Sequence, residues 1–466
     1  MTTSPHLFNP TILREYDIRG IVGQTLHKAD ALAIGRAFGT LVVRAGGRRV
    51  MLGYDGRTHS PDFEAALVEG LTSTGCDVGR IGLGPTPMLY FSVQQMKADA
   101  GIMITGSHNP PSHNGFKMLL AKHLPGGGPI YGQAVQKLGE IAAKGDFVSG
   151  QGQAETIDLR EAYVTRLLQD YTSPRPLKVV WDCGNGAGGE IVRRVTAKLP
   201  GTHILLFDDI DGTFPNHPAD PSHHETLHDL QEAVRANKAD LGVAFDGDAD
   251  RIGAVDERGR IVMNDKLMAI FAADVLKGHP GATIIADVKT SQILFDYVAK
   301  LGGKPLMWKT GNTLIKAKMT ETGAPFAGEM SGHIFFGDKY YGYDDGIYSA
   351  IRLLSIIGQA DKSLGAWNDS LPAILSTNEY RFPVEESRKF AVIDEVKGRL
   401  KGKGAIMSDI DGVRVMTEDG WWLLRASNTD ALLVARAEAQ NEAGLSRLKD
   451  QLGGQLKESG LSLPAA

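Results

Sequence analysis

Cysteine is nearly absent: Cys76 and Cys183 are the only two in 466 residues. They stand far apart, with no CxxC and no Cys/His cluster, which excludes a disulfide framework and a thiolate zinc site and points to a reducing cytoplasm. Long apolar runs are also missing. No stretch reaches the roughly 18 residues a membrane span needs, and the opening MTTSPHLFNPTILRE lacks the apolar centre of a secretion signal. Neither sign of charge dominates, with 50 Lys+Arg against 55 Asp+Glu for a net charge of -5, and no long basic run occurs. Nucleic acid and membrane surfaces are therefore not expected partners. What is present is ordinary: 42% hydrophobic and 23% charged residues argue against wholesale disorder and against a fibrous repeat. At roughly 150 residues per domain the chain needs three or four domains, so function is sought between domains as well as within them.

Two stretches share a frame, ADAGIMITGS at 98–107 and ADLGVAFDGD at 239–248. Each is an apolar run of strand length that ends in a Gly-containing polar loop, the pattern of a buried strand delivering a loop at its carboxyl end. PFAGEMSGH at 325–333 resembles them more weakly. Upstream of each lies a further apolar run closing at Asp55, Asp182 or Asp287. Between the members of each pair the chain has room for a helix and a second strand, with loops at Gly84-Pro85-Thr86-Pro87, Asp211-Gly212-Thr213 and Thr310-Gly311-Asn312. Three αβ units in series follow. After Asn368 the strands become shorter (YRFPV, DGVRVM, WWLLRAS, ALLVARAEA) and a terminal helix follows, which reads as a smaller α+β domain. The expected division is residues 1–150, 151–256, 257–368 and 369–466: three topologically similar mixed-sheet α/β domains and a distinct cap.

Asp246, Asp248 and Asp250 fall at i, i+2 and i+4 in DGDADR, a spacing of hard oxygen donors that suits Mg²⁺ or Ca²⁺. With Glu257 they also match positions 1, 3, 5 and 12 of an EF-hand. That reading fails because Arg251 occupies the position that needs Gly and because both flanks read as strand. In TGSHNP, Ser107 sits on a Gly turn after an apolar strand, an exposed position for a phosphoryl carrier. The adjacent His108 is poorly placed to turn its imidazole back onto that hydroxyl. GEMSGH offers Glu329, Ser331 and His333 between two glycines, acceptors suited to adjacent sugar hydroxyls. Arg425 with Ser427, Asn428 and Thr429 reads as a phosphate cradle. Arg19, Arg57, Lys117, Lys289 and Lys309 lie in or beside Gly-containing loops, where solvated surface charge is the ordinary explanation.

Together these loops resemble the α-D-phosphohexomutase family, most closely its bacterial phosphomannomutase/phosphoglucomutase branch. The correspondence runs in the family's order from YDIRG at 16–20 to RASNT at 425–429, nearly the whole chain. The resemblance implies four domains around a central cleft and exchange of hexose 1-phosphate and hexose 6-phosphate, for mannose and glucose, through a 1,6-bisphosphate that also serves as activator. It implies that Ser107 is carried as a phosphoserine and that Asp246, Asp248 and Asp250 hold Mg²⁺ against it. Tyr16, Lys289, Lys309, Thr310 and Gly311 are implied as substrate contacts. So are the loop of Glu329, Met330, Ser331, Gly332 and His333 and the cradle of Arg425, Ser427, Asn428 and Thr429. Proton transfer falls to one or more of Lys117, His333, Arg19 and His108, among which the sequence does not choose. Asn312 departs from the branch, many of whose members carry His there. The protein is expected to act on small hexose phosphates in the cytoplasm, as a monomer or weak dimer. Phosphoglucosamine mutase is the nearest alternative. A different chemistry is suggested by DDIDGT at 208–213, echoed at Asp409-Ile-Asp411, which resembles the haloacid dehalogenase superfamily and would make Asp209 the nucleophile.

Overall fold

The computed structural model describes residues 4–427 and 431–464. Runs such as AGIMI and LGVAF become strands buried along their whole length, because helices cover both faces of the sheets that hold them. The repeat seen in the sequence is a repeat of topology. In the first unit Asp77–Leu83, Arg49–Tyr54, Ala100–Ile104 and His113–Leu120 lie side by side, the first three parallel and the last antiparallel. Gly201–Leu206, Leu177–Asp182, Leu241–Phe245 and Ile252–Asp256 repeat that order in the second unit. Lys304–Trp308, Thr283–Asp287, Phe326–Gly328 and Ile334–Phe336 repeat it in the third. The last unit is an antiparallel sheet centred on Gly420–Ala426 and Leu432–Ala439, with the helices Glu386–Gly402 and Glu442–Glu458 packed on it.

The edges of these sheets run past the boundaries drawn from the sequence. Ala154–Thr156 pairs with Asp77–Leu83 and so extends the first sheet beyond residue 150, while Ile261–Val262 extends the second beyond 256. The helix Leu364–Ser370 crosses residue 368. Strands of two or three residues hold too few side chains to show alternation, so no periodicity marks them.

One apolar core runs through the second and third units and into one face of the first, from Met51 through Trp181 to Leu354. The fourth unit has its own core and meets the third through a small cluster of Val288, Trp421 and Leu423. Parallel strands deliver their loops at one end, and those ends of the three sheets converge on a common cleft. Among the described residues no helix is long and apolar enough to cross a membrane.

Candidate functional site

The cleft has a volume of about 1340 Å³ and is lined by residues of all four units. On its floor Ser107 follows the buried strand Ala100–Ile104. It is not the exposed serine expected: only 2% of its surface is accessible, because the 246–251 loop of the second unit closes over it. Approach is close enough that a Cβ added at Gly247 would lie 2.5 Å from the Ser107 carbonyl oxygen. The Ser107 hydroxyl donates to Asp246 Oδ2 at 2.8 Å, and His108 Nδ1 lies 3.2 Å from the Ser107 Oγ itself. The imidazole does face back onto the hydroxyl, contrary to expectation, because Ser107 takes a left-handed backbone conformation (φ 49°) that turns the two side chains toward each other.

Arg57 holds this conformation. Far from being a solvated charge, it is 1% exposed. Its guanidinium donates to the carbonyls of Ser107 (2.8 Å), Asn109 (2.6 Å), Pro110 (2.6 Å) and His113 (3.0 Å), while Nε meets Asp55 at 3.1 Å. Gly106 is required above it, since a Cβ there would come within 2.5 Å of the guanidinium carbon.

Asp246, Asp248 and Asp250 are each fully buried, and each offers an oxygen within 4.8 Å of the others. Lys117 Nζ bridges Asp248 (2.7 Å) and Asp250 (2.5 Å), and Thr86 donates to Asp248. Asp248 Oδ1 and Asp250 Oδ1 are buried with no hydrogen-bond donor among the described residues, although His333 Nε2 lies 3.3 Å from the latter. Burial, and then the charges of Asp250 and Asp248, push Asp246 well above the usual carboxylate range. Asp248 and Asp250 are lowered instead, because Lys117 and, at Asp250, also His333 outweigh their burial, so Asp246 is the acid left without enough compensating charge. Hard oxygen donors with unsatisfied lone pairs fit a divalent cation.

The candidate proton-transfer groups differ in charge. Burial and the neighbouring Arg251 hold His108 well below the ordinary imidazole value, which keeps it neutral. Burial disfavours the charge of His333 too, but Asp250 and Glu329 outweigh it and bring the group to about 9. Lys117 likewise stays charged, because Asp248 and Asp250 overcome its burial. Arg19 is tied to Asp17 (2.5 Å) and Asn109 (2.7 Å).

Glu329 Oε1 accepts from the Gly311 amide at 2.6 Å and Oε2 lies 3.0 Å from His333 Nδ1. Met330 and Ser331 line the cleft, and Gly332 makes the turn between them and His333 with φ 96°. Tyr16 donates to the Thr310 carbonyl at 2.7 Å, joining the first unit to the third. Asp411 accepts from both the Thr310 amide and Arg425 Nε at 3.0 Å, joining the third to the fourth. Lys289 pairs with Glu379 at 2.7 Å, and Ser427 lines the cleft beside Arg425. Asn428 and Thr429 lie outside the described residues. Lys309 is exposed and does not line the cleft, because the chain turns at Thr310 and sends the preceding side chain outward. Asn312 donates to Asp344 at 2.9 Å, and Asp344 also pairs with Lys316 at 2.8 Å. Asp209 is 98% exposed in its side chain, pairs with Arg193 and does not line the cleft, so an aspartyl nucleophile at that position has no site to act in. Sequence reasoning missed the roles of Thr86, Asp411, Glu379 and Lys316: Thr86 falls in the loop read at 84–87 and Asp411 in the DID echo, where no local signal shows their partners, and Glu379 and Lys316 carry no pattern at all. Arg57 it had marked by its Gly-containing loop but took for surface charge.

Models of the phosphoglucomutase/phosphomannomutase family match nearly the whole chain. Its alpha/beta/alpha domains I, II and III match residues 10–149, 161–259 and 263–374, and its C-terminal domain matches 379–454. The phosphomannomutase/phosphoglucomutase of Pseudomonas aeruginosa is 44% identical over 454 residues, covering 97% of each chain. The phosphoglucomutase of Neisseria meningitidis serogroup A is 42% identical over 444 residues, 94% of this chain and 95% of that one. Among solved structures, a phosphoglucomutase/phosphomannomutase family protein from Burkholderia thailandensis superposes with a TM-score of 0.92 at 42% identity, over 98% of this chain and 100% of that one.

Proposed function

The chain belongs to the phosphoglucomutase/phosphomannomutase family and is a hexose-phosphate mutase, and on that premise we propose how its cleft works and on which sugars. The substrates are the 1- and 6-phosphates of glucose and mannose, exchanged through a phosphoserine at Ser107 and a 1,6-bisphosphate that also recharges the serine. The observation that carries this reading is Ser107 Oγ at 2.8 Å from Asp246, beside the buried Asp248 Oδ1, which has no donor among the described residues. Asp246, Asp248 and Asp250 would hold Mg²⁺, which supplies charge neutralisation over a phosphoryl group in transfer.

Every other task falls to the chain itself. Phosphorylated Ser107 gives its phosphoryl to the free hydroxyl of a hexose phosphate: the bond from Oγ to phosphorus breaks and a bond from phosphorus to the sugar oxygen forms. The hydroxyl's proton leaves to a base in the cleft, and Ser107 regains one. Neutral His108, 3.2 Å from Oγ, is placed to be that base, taking the hydroxyl's proton and passing it to Oγ, and to take the serine's proton when Ser107 attacks the bisphosphate. Lys117, His333 and Arg19 supply fixed positive charge on the other side of the transferring group. Glu329 and Ser331 accept hydrogen bonds from sugar hydroxyls. Arg425 and Ser427, with Asn428 and Thr429, hold the phosphate that is not moving, while Lys289, Tyr16 and the turn at Thr310 and Gly311 close the remaining wall.

The division of labour follows the four segments: serine loop in 1–150, metal loop in 151–256, sugar loop in 257–368 and phosphate cradle in 369–466. The apolar contact between the third and fourth units is small, and although buried arginines and Asp411 also tie them, movement of the fourth unit would let the cradle open while the bisphosphate turns. We read the enzyme as a cytoplasmic monomer or weak dimer. Ser107→Ala should keep the fold and lose nearly all turnover, and intact-protein mass spectrometry of the parent should find a phosphate on the peptide holding TGSHNP. An unphosphorylated parent with full activity, or a phosphate mapping elsewhere, refutes the assignment.

A further inference from the structure

Three successive carbonyls in the loop that carries Lys289 are held by arginines of the fourth unit. Arg414 Nη1 donates to Val288 O at 2.8 Å and to Thr290 O at 2.7 Å, and Arg436 Nη1 donates to Lys289 O between them at 2.7 Å. Both arginines are buried, at 1% and 4% exposure. The Arg414 guanidinium lies 3.7 Å from the centroid of the Trp421 ring. Trp421 donates to Glu438 Oε1 at 2.7 Å, and the same oxygen accepts from the Gln292 amide at 3.1 Å, just beyond the loop. Arg436 has Asp265 at 3.8 Å and Glu438 at 4.0 Å as its nearest carboxylates. The Lys289 side chain is held from the same direction, by Glu379.

A buried guanidinium separated from its carbonyl partners loses charge-assisted hydrogen bonds that water only partly replaces. If the fourth unit moves, separating it from the loop therefore costs more than carrying the loop along. We propose that Arg414 and Arg436 are positioning residues that make the backbone at 288–290 follow the fourth unit, so that Lys289 reaches the substrate in step with Arg425. This rests on the reading of Lys289 and Arg425 as substrate contacts.

The test is a double-mutant cycle on kcat/KM for glucose 1-phosphate, using Lys289→Ala, Arg436→Gln and the two together, with Arg436→Lys as the conservative control. A positioning role predicts that each single change lowers kcat/KM by about tenfold to a hundredfold. It also predicts that the double variant falls no more than about threefold below Lys289→Ala alone, since the two act through one group. Arg436→Lys should recover most of the loss. Full multiplication of the two effects would show that Arg436 acts on something other than Lys289 and overturns the proposal. Wild-type kcat/KM in Lys289→Ala is a different failure: it removes Lys289 as a substrate contact and takes the proposal with it. Should the arginine variants fail to fold, hydrogen exchange on the wild-type enzyme still decides. On addition of glucose 1-phosphate the amides of 288–292 and those of Val413–Thr417 and Leu432–Ala439 should slow together, and slowing of one set without the other overturns the coupling.

Discussion

Replacing Arg57 by Met should cost most of the activity without touching any group that meets the substrate. The perturbation is confined: Arg57 is buried, and its guanidinium serves four carbonyls of the Ser107 loop and the Asp55 carboxylate. Removing one member of a buried ion pair costs about 3–5 kcal/mol. Pro110 O keeps the His113 amide as a donor, but the carbonyls of Ser107, Asn109 and His113 lose the guanidinium at about 1–3 kcal/mol each. That sum rivals the whole stability of a typical domain, about 5–15 kcal/mol, so the loop will move to find water rather than bear it. Movement is easy, because Ser107 leaves a left-handed conformation that itself costs about 1–3 kcal/mol. A displacement of about 1 Å at the carrier oxygen is worth roughly a hundredfold in rate. Arg57→Met should therefore lower kcat by about two orders of magnitude, and slow phosphorylation of Ser107 by glucose 1,6-bisphosphate to match, with KM little changed. Arg57→Lys keeps the charge beside Asp55 but loses the planar fork, and should fall between, roughly tenfold down. The assays are steady-state kinetics and the mass-spectrometric rate of serine phosphorylation, with circular dichroism to establish the fold. A folded Arg57→Met enzyme with wild-type kcat would refute the argument.

Three further outcomes are expected. Chelation with EDTA should silence the enzyme and Mg²⁺ restore it, because the proposed transfer needs charge neutralisation beside Ser107 that Asp246, Asp248 and Asp250 would hold in place; normal turnover after verified metal removal counts against the site. Values of kcat/KM for glucose and mannose 1-phosphates should agree within about two orders of magnitude, because on the proposed reading Glu329 takes hydroxyls the two sugars share, with glucosamine 1-phosphate poorer beside the cationic wall; robust glucosamine turnover or loss of either hexose would show that Met330 and its neighbours read C2. His217 is raised above the ordinary imidazole value, since its bond to Asp182 outweighs its burial, so its stabilising charge is fully present below about pH 6.5 and is lost as pH rises through the raised value. The urea midpoint of the wild type should accordingly fall more between pH 6 and pH 8 than that of His217→Asn, and equal falls would show that the pair contributes nothing.

Much of this protein is written in strand-length patterns. The fully buried runs at 100–104 and 241–245 are apolar because both faces of their sheets are covered, and each ends in the loop that the chemistry needs, so the repeat and the places of Ser107 and the three aspartates were legible along the chain. The α-D-phosphohexomutase resemblance rests on those same loops, and the family matches agree with it.

What the chain does not spell out is contact between residues far apart in it. Arg57 and Lys117 look like any cation near a glycine, and become a loop anchor and a bridge between carboxylates only when four carbonyls and two aspartates arrive around them. Lys309 carries the same local signal and points into water. Ser107 reads as exposed because a Gly turn ordinarily is, and is buried because a loop 139 residues away covers it. A side chain's charge state is likewise a property of its surroundings: His108 and His333 have identical rings and both feel Arg251, yet burial keeps His108 neutral while Asp250 and Glu329 raise His333. Local sequence sets backbone preference and apolar periodicity, which decide the elements and their loops. Burial, ion pairing and the meeting of four units at one cleft arise from packing across more than a hundred residues, and only the tertiary structure decides them.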